Sequence, residues 1–408
     1  MIQDYIKLLG PLLIIAAWAK FAINKKMVRL IGVALFFASY VALSQNFTLI
    51  YREIHQGIQI LLTVAFLVSA ISSGRILRIN MYLGVFLFFI VISLIFSALD
   101  EDATSQLLNF LVAFCVVNYL FLSLRNLTDL DHVLNFVAKL SLLLALFGLF
   151  EVLFNMSGRA EATFSNPNYY GLFLGVGFCI VFAKWIGWQR SISLLVIVSA
   201  ILFSGSRSAM LFPIIQLLWT VYRGGDVKKF MPLVIVLGFA VIYVLNSEGS
   251  RYLASDQKEA SDAERIIFAN VAMEMSKDHP ITGVGWGRFI NEFGNYSSYV
   301  PSMVISSGDV VDVSSQDRRV THNDYMRILA ELGWPALCLV IIFIIYGFWT
   351  ILKNRGFGLD YLFPVWLGLL LFSATHNNMN GAFFWFFLLL PFHVNSRYFK
   401  LTPKLNNS

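Results

Sequence analysis

An imidazole, an amide and a carboxylate stand side by side at the start of THNDYMRILAELGWP (321–335), a stretch that soon turns wholly apolar. His322 is ordinarily neutral at pH 7 and can take up a proton, so it is a candidate general base; its plainer reading is a hydrogen-bonded interfacial histidine, and its location must decide. On a helix, His322, Tyr325, Leu329 and Leu332 follow three- and four-residue steps and share one face. The imidazole is therefore expected to extend the buried stripe and point into the bundle. Asn323, Arg327 and Glu331 line another face, where Asp324 reaches Arg327 and Arg327 reaches Glu331; the plain reading of these charges is mutual surface pairing.

Arginines supply the complementary chemistry. Arg207 lies in LFSGSRSAMLF, where a few small and hydroxyl residues separate two apolar runs. A charge at membrane depth costs a few kcal/mol or more, so this arginine is expected either to pair with an anion or to snorkel to the interface. Ser204, Gly205, Ser206 and Ser208 add donors and permit close backbone approach, which suits phosphate recognition. Arg265 stands in SDAERIIFANVAMEMSKD (261–278), where Ser261 and Glu264 have capping-box spacing. That spacing predicts a helix with Arg265 in its first turn, where the arginine and the helix N-terminus together would attract an anion. Arg159, in SGRAEATFSNPN, is a third cation of this kind. THN occurs twice, at Thr321-His322-Asn323 and Thr375-His376-Asn377. The echo raises a shared pocket in which His376, Asn377, Asn378 and Asn380 hydrogen-bond sugar hydroxyls, with His376 a rival to His322.

Other chemistries find no motif. HExxH, GxxxxGK[ST] and GxSxG are all absent, so neither a catalytic metal nor a serine nucleophile is expected. The three cysteines, Cys115, Cys179 and Cys338, fall inside apolar runs and read as small hydrophobes.

These residues must be positioned by membrane helices. The 408-residue chain is 58% hydrophobic and only 13% charged, against about 25% charged in soluble proteins. Apolar runs recur from end to end, and about 20 such residues span a bilayer. Spans are expected near 6–23, 30–49, 55–72, 81–99, 106–124, 133–154, 169–187, 192–205, 208–222, 230–246, 332–352, 361–375 and 381–395. This is an all-α polytopic membrane protein with 12 or 13 transmembrane helices. The first run lacks a small-residue cleavage site and reads as a mature helix. The net charge of +6 sits largely in short loops such as NKKMVR, SSGRILR, RGGDVKK and LKNR. That is the positive-inside pattern of a membrane protein, not a nucleic-acid surface.

With those loops cytoplasmic, the opposite face carries residues 100–106, 155–168, 204–208, 375–381 and one large helical loop. The chain thus divides into transmembrane helices over 1–246, an extracytoplasmic loop domain over 247–327, and further transmembrane helices with a cytoplasmic tail over 328–408. Within the loop, His279-Pro280 should end the 261–278 helix, and ITGVGWGRF (281–289) should form a glycine-rich bend. The Ser, Gly and Asp of 294–320 mark its loosest part.

SGSRSAMLF, ERIIFANVAMEMSKDHPITGVGWGRF and THNDYMRILAELGWPAL, in that order among many apolar spans, resemble the O-antigen ligase and Wzy-type O-antigen polymerase family of bacterial inner membranes. ATFSNPNYYGLFL (162–174) is also similar to that family's pattern. The motifs cover roughly 160–350; the first 150 residues match only in being membrane helices. The resemblance implies a GT-C-like glycosyltransferase with its active site on the periplasmic face. It implies inverting transfer from an undecaprenyl-diphosphate-linked glycan to a sugar hydroxyl, with no cofactor and no metal. Carried onto this chain, it implies His322 as the catalytic residue and Arg207 and Arg265 as diphosphate ligands. Arg159 is grouped with those arginines, and Asn323, Tyr325, His376 and Asn377 with the glycan acceptor. A chain-length regulator protein is a further implied partner.

Polymerase and ligase share these motifs and differ in the acceptor, a growing lipid-linked glycan or the lipid A core. Carboxylates outnumber basic residues in the 247–321 loop, which makes it a poor cradle for a phosphorylated lipid A core and favours the polymerase. A lipid-linked oligosaccharide transporter could also bind diphosphate through buried arginines. Alternating access, however, predicts midplane polar groups and internal repeats rather than one large one-sided loop.

Overall fold

Asparagine and aspartate side chains set where several apolar runs become helices. In the computed structural model, which describes residues 26–38, 48–72, 80–124, 126–154, 159–164, 166–224, 255–304, 310–311, 320–353 and 361–395, Asn80 precedes α3 (Met81–Ile95) and accepts from the Tyr82 amide at 3.1 Å. Asp100 starts α4 (Glu101–Ser123) by accepting from the Ala103 amide at 2.8 Å, and Asn126 starts α5 (Leu127–Leu153) by accepting from the Asp129 amide at 2.8 Å. Asn166 and Pro167 open α6 (Pro167–Lys184) as a cap followed by a residue whose missing N–H costs nothing there. These four starts need no tertiary contact.

Around them lie α1 (Lys26–Ala38), α2 (Thr48–Ser72), α7 (Gly187–Ser204), α8 (Leu211–Tyr222), α9 (Ser255–Asp278), α10 (Phe289–Ser297), the two-residue strands β1 (Met303–Val304) and β2 (Val310–Val311), α11 (Asp324–Lys353), α12 (Leu362–Ser373) and α13 (Ala382–Val394). Helices α5, α6 and α7 pack mutually, α4 packs on α2 and α13, and α12 packs on α8 and α13. Phe212 of α8 is fully buried between two glycines. A Cβ on Gly175 of α6 would lie 2.6 Å from its ring, and one on Gly368 of α12 would lie 2.5 Å from it. Small residues permit this close helix approach, which anchors the turn bearing Arg207.

The chain is an all-α, multi-pass membrane protein. Four helices among the described residues, α4, α5, α7 and α11, are long and apolar enough to cross a bilayer, and shorter apolar helices accompany them. Eleven of the expected spans fall on described helices. Those at 6–23 and 230–246 lie outside the described residues, as do the expected cytoplasmic tail after 395 and, within 294–320, residues 305–309 and 312–319.

One helix is broken where it meets the glycine loop. Within α11, Gly333 has φ 80° and ψ 179°, and Pro335 follows, so the element is two helices end to end. The break leaves carbonyls of the first helix without their usual partners. The Val284 amide donates to the Ala330 carbonyl at 2.8 Å and the Gly285 amide to the Glu331 carbonyl at 3.2 Å, while Trp334 N donates to the Pro280 carbonyl at 2.9 Å. Gly283, at φ 64°, has no room for a side chain: a Cβ there would stand 2.2 Å from the Glu331 carbonyl carbon. The expected glycine bend at 281–289 is therefore the element that satisfies the broken helix.

The 255–304 segment has a small core of its own. Ile267, Phe268, Val271 and Met275 of α9 pack with Val284, Phe289, Phe293 and, from α11, Ala330. The β1–β2 hairpin borders it through Met303 and Val311. As expected, α9 ends at Asp278 before His279-Pro280. Its start differs: the helix already runs at Ser255, so Ser261 does not open it. Gln257, Lys258, Glu259 and Ala260 are good helix formers, so the capping-box spacing falls inside a longer helix. Arg265 consequently stands in the middle of α9, away from any helix N-terminus.

Candidate active site

The turn between α7 and α8 presents Arg207. Gly205 closes α7 with φ 66°, and the Ser206 amide donates to Ser204 Oγ at 3.2 Å. Arg159 reaches the same turn from its own loop. Its Nε donates to the Ser204 carbonyl at 2.7 Å, and its guanidinium lies over Gly205, 3.2 Å from where a Cβ would be. A cation at a helix C-terminus is favourable, so Arg159 buttresses the turn that carries Arg207. The loop holding Arg159 is itself held by buried Glu151, which accepts from the Ala162 amide at 2.7 Å.

Arg207 pairs with an anion rather than snorkelling alone. Its Nη2 donates to Asp262 Oδ1 at 2.9 Å and its Nη1 to Asp262 Oδ2 at 3.3 Å. Arg265 Nη1 lies 3.9 Å from the same Asp262 Oδ1. Burial, then the neighbouring Arg207 charge, holds the Arg265 pKa below its usual value. Two cations far apart in sequence therefore meet on one carboxylate.

His322 departs from its expected setting. Helix α11 begins at Asp324, and Asn323 caps it, its Oδ1 accepting from the Tyr325 amide at 2.9 Å and the Met326 amide at 3.2 Å. His322 lies outside the helix at φ 48° and is exposed, its ring centroid 6.3 Å from that of Phe268. A left-handed backbone is uncommon for a residue with a side chain and is frequent at functional sites. The imidazole thus faces α9, one turn from Arg265, instead of continuing the buried stripe of α11. The capping preference of Asn323 outcompetes the helical periodicity that had included His322.

The two THN stretches lie together. Thr321 Oγ1 donates to Asn377 Oδ1 at 2.9 Å, the Asn378 amide donates to Asp324 Oδ2 at 2.8 Å, and Tyr169 Oη donates to the Asn377 carbonyl at 2.7 Å. Tyr325 Oη is engaged elsewhere, donating to the Leu370 carbonyl at 2.8 Å. His376 is buried against Phe372, ring centroids 4.3 Å apart. Burial first, then the charges of Arg265 and His322, push its pKa down to about 3.

The expected surface pairing along α11 is a buried network instead. Asp324, Arg327 and Glu331 are 0%, 5% and 2% exposed. Arg327 Nε donates to Glu331 Oε2 at 2.9 Å, and its guanidinium stands 4.1 Å from the Trp286 ring centroid. Glu331 also accepts from the Gly287 amide at 2.9 Å and the Phe289 amide at 3.2 Å. Arg327 and Asn380 both donate to Gln106 Oε1. The i,i+4 spacing announced the Arg327–Glu331 pair; its burial under Trp286 had no local signal.

Two arginines that share a carboxylate, and an exposed histidine turned toward α9, lie on elements running from α7 to the start of α11. Residues 192–341 match the O-antigen ligase family model. The match to the O-antigen ligase family includes Arg207, Asp262, Arg265 and His322, and leaves out Arg159, His376 and Asn377. No curated protein matches the chain. The matched region runs from α7 to the first part of α11 and so takes in the elements that carry the arginine pair and the exposed histidine.

Proposed function

We propose that the chain is a surface-polysaccharide polymerase, an inverting, metal-independent glycosyltransferase. It transfers an undecaprenyl-diphosphate-linked glycan onto a sugar hydroxyl of a lipid-linked acceptor. The observation that carries this reading is the meeting of Arg207 and Arg265 on Asp262, 2.9 and 3.9 Å away, with exposed His322 turned toward the same helix, its ring 6.3 Å from that of Phe268. A lipid diphosphate is already a good leaving group. The enzyme must take a proton from the attacking hydroxyl and stabilise charge growing on the diphosphate oxygens. His322 takes the proton; Arg207 and Arg265, with permanent charge and several donors each, hold the diphosphate. Arg159 acts through the Ser204 carbonyl by fixing the Arg207 turn. Asn377 and His376, brought to the site by the Thr321–Asn377 contact, face the glycan, while Asn323 and Tyr325 shape it through the helix start and α12.

In this reading residues 1–246 and 328–408 form the membrane body, and 247–327 form the periplasmic loop over it, in a bacterial inner membrane. The net-acidic composition of that loop favours a lipid-linked glycan acceptor over a phosphorylated lipid A core. Deleting the gene and resolving the surface polysaccharide on a gel decides between them. A single repeat still attached to lipid A supports the polymerase; lipid A core without any O-antigen shows a ligase. Glycan transfer by the purified chain in detergent micelles, with no membrane to cross, separates either from a transporter.

A further inference from the structure

A row of hydroxyls leads to the second histidine of the site. Thr375 Oγ1 lies 2.6 Å from Ser208 Oγ, 2.9 Å from His376 Nδ1 and 3.1 Å from the Phe372 carbonyl, to which it donates. A hydroxyl has one proton and two lone pairs. Placing that proton on the Phe372 carbonyl, which can only accept, makes Ser208 Oγ and His376 Nδ1 the donors toward Thr375. The Phe372 carbonyl favours a protonated ring for the same reason. A neutral imidazole carries one N–H, so Nε2 keeps its lone pair.

That lone pair is buried and unpaired. His376 is 8% exposed, and Nε2 has no hydrogen-bond partner among the described residues. A buried polar atom without a partner is costly, and such atoms in a native fold call for an explanation. The ring is stacked on Phe372 at 19°, so its plane is set by packing. Arg265 and His322 are close enough for their charges to act on it. We infer that His376 Nε2 is a seat for a hydroxyl of the glycan, which donates its proton to the nitrogen and so is oriented beside His322.

The chemistry of the seat selects its occupant. An ionised diphosphate oxygen has no proton to give and meets a lone pair, so the diphosphate stays with Arg207 and Arg265. An ammonium would be repelled by Arg265. A neutral O–H satisfies both conditions, and sugars carry many. The serine that hydrogen-bonds Thr375 belongs to the same turn as Arg207, so the diphosphate ligand and the hydroxyl seat are held by one piece of backbone. The inference rests on the transfer reading above for its role and on the hydroxyl row for its geometry.

The two are tested separately on the full chain in detergent micelles. With histidine labelled by nitrogen-15 and His376 assigned by loss of its signal in His376→Asn, the unliganded protein should show a protonated Nδ1 and an unprotonated Nε2. The Nε2 resonance should move on adding lipid-linked oligosaccharide extracted from the host membrane and not on adding undecaprenyl diphosphate without sugar. A proton on Nε2, or a resonance that both additions move alike or that neither moves, overturns the inference. In transfer assays, His376→Asn, which keeps a group near Nδ1 only, should raise the KM for one glycan substrate by roughly tenfold. His376→Gln, which reaches the Nε2 position, should raise it less; equal losses overturn the seat. Whether the donor or the acceptor KM rises tells which substrate owns the hydroxyl. A chain that transfers no glycan defeats the transfer reading, while the resonances still decide the seat.

Discussion

Arg207 holds Asp262 by both carboxylate oxygens, at 2.9 and 3.3 Å, across 55 residues of sequence. Arg265 approaches the same carboxylate; in the proposed transfer reaction Asp262 occupies the place of the diphosphate. All three side chains are partly exposed, and exposed pairs contribute about 1 kcal/mol or less to stability. Asp262→Asn should therefore fold normally and bind undecaprenyl diphosphate roughly two- to fivefold more tightly, the size of one exposed pair released. Titration of purified protein with the lipid reads this directly, and weaker binding would mean that Asp262 orients the arginines rather than competing for them.

His322→Ala should lower the transfer rate by roughly a hundredfold to ten-thousandfold, the range for loss of a general base, while sparing donor binding. Arg207→Ala should weaken donor binding as well. Donor titration alongside single-turnover transfer separates the two effects. A His322→Ala enzyme near the wild-type rate would return the base assignment to His376.

Glu331→Ala should be strongly destabilising. Glu331 is 2% exposed and accepts from Arg327 and from two amides of the glycine loop, so its removal leaves a buried arginine unpaired. Breaking a buried pair costs about 3–5 kcal/mol. Thermal unfolding in detergent should show a large fall in Tm, and an unchanged Tm would show that Trp286 and Gln106 suffice for Arg327.

Gly283→Ala meets two obstacles at once, the positive φ and the Glu331 backbone 2.2 Å from the new methyl. Local backbone strain of this kind costs roughly 1–3 kcal/mol before the clash is counted. Reduced yield of monodisperse protein and a lower Tm are expected, whereas Gly57→Ala, with nothing within 4 Å, should behave as wild type.

His376 also gives the protein an acid limit. Its pKa is about 3 in the fold against an ordinary 6.5, chiefly through burial. Below pH 6.5 the unfolded chain takes up a proton that the folded site refuses. The stabilisation present above pH 6.5 is thus lost as pH falls toward 3, at no more than about 1.4 kcal/mol per pH unit. Tm measured from pH 7 to pH 4 should fall less steeply in His376→Gln than in wild type.

Much of this was legible in the sequence because it depends on local rules. Apolar runs must bury or meet lipid, Asn166-Pro167 must start a helix, and His279-Pro280 must stop one. Arg207, Arg265 and His322 stand out for the same reason: charge or imidazole beside apolar runs needs a partner. Local signals also misled where two of them competed. The periodicity of 322–332 placed His322 on a helix face, but Asn323 is the better cap and leaves the histidine outside. Ser261 and Glu264 have cap spacing, yet the helix formers before them carry α9 back to Ser255.

The sequence by itself determined the membrane body, the order of the polar motifs and the residue types able to move a proton or hold a phosphate, because each follows from composition and short-range spacing. Only the tertiary structure decided that Asp262 bridges Arg207 and Arg265, that Arg159 serves the Ser204 carbonyl, and that the two THN stretches meet through Thr321 and Asn377. Those contacts join residues 45 to 56 positions apart or, for Arg265, a neighbour on its own helix that the turn also reaches. Spacing along a chain carries no information about which distant hydroxyl or carboxylate packing will bring within 3 Å of a given nitrogen.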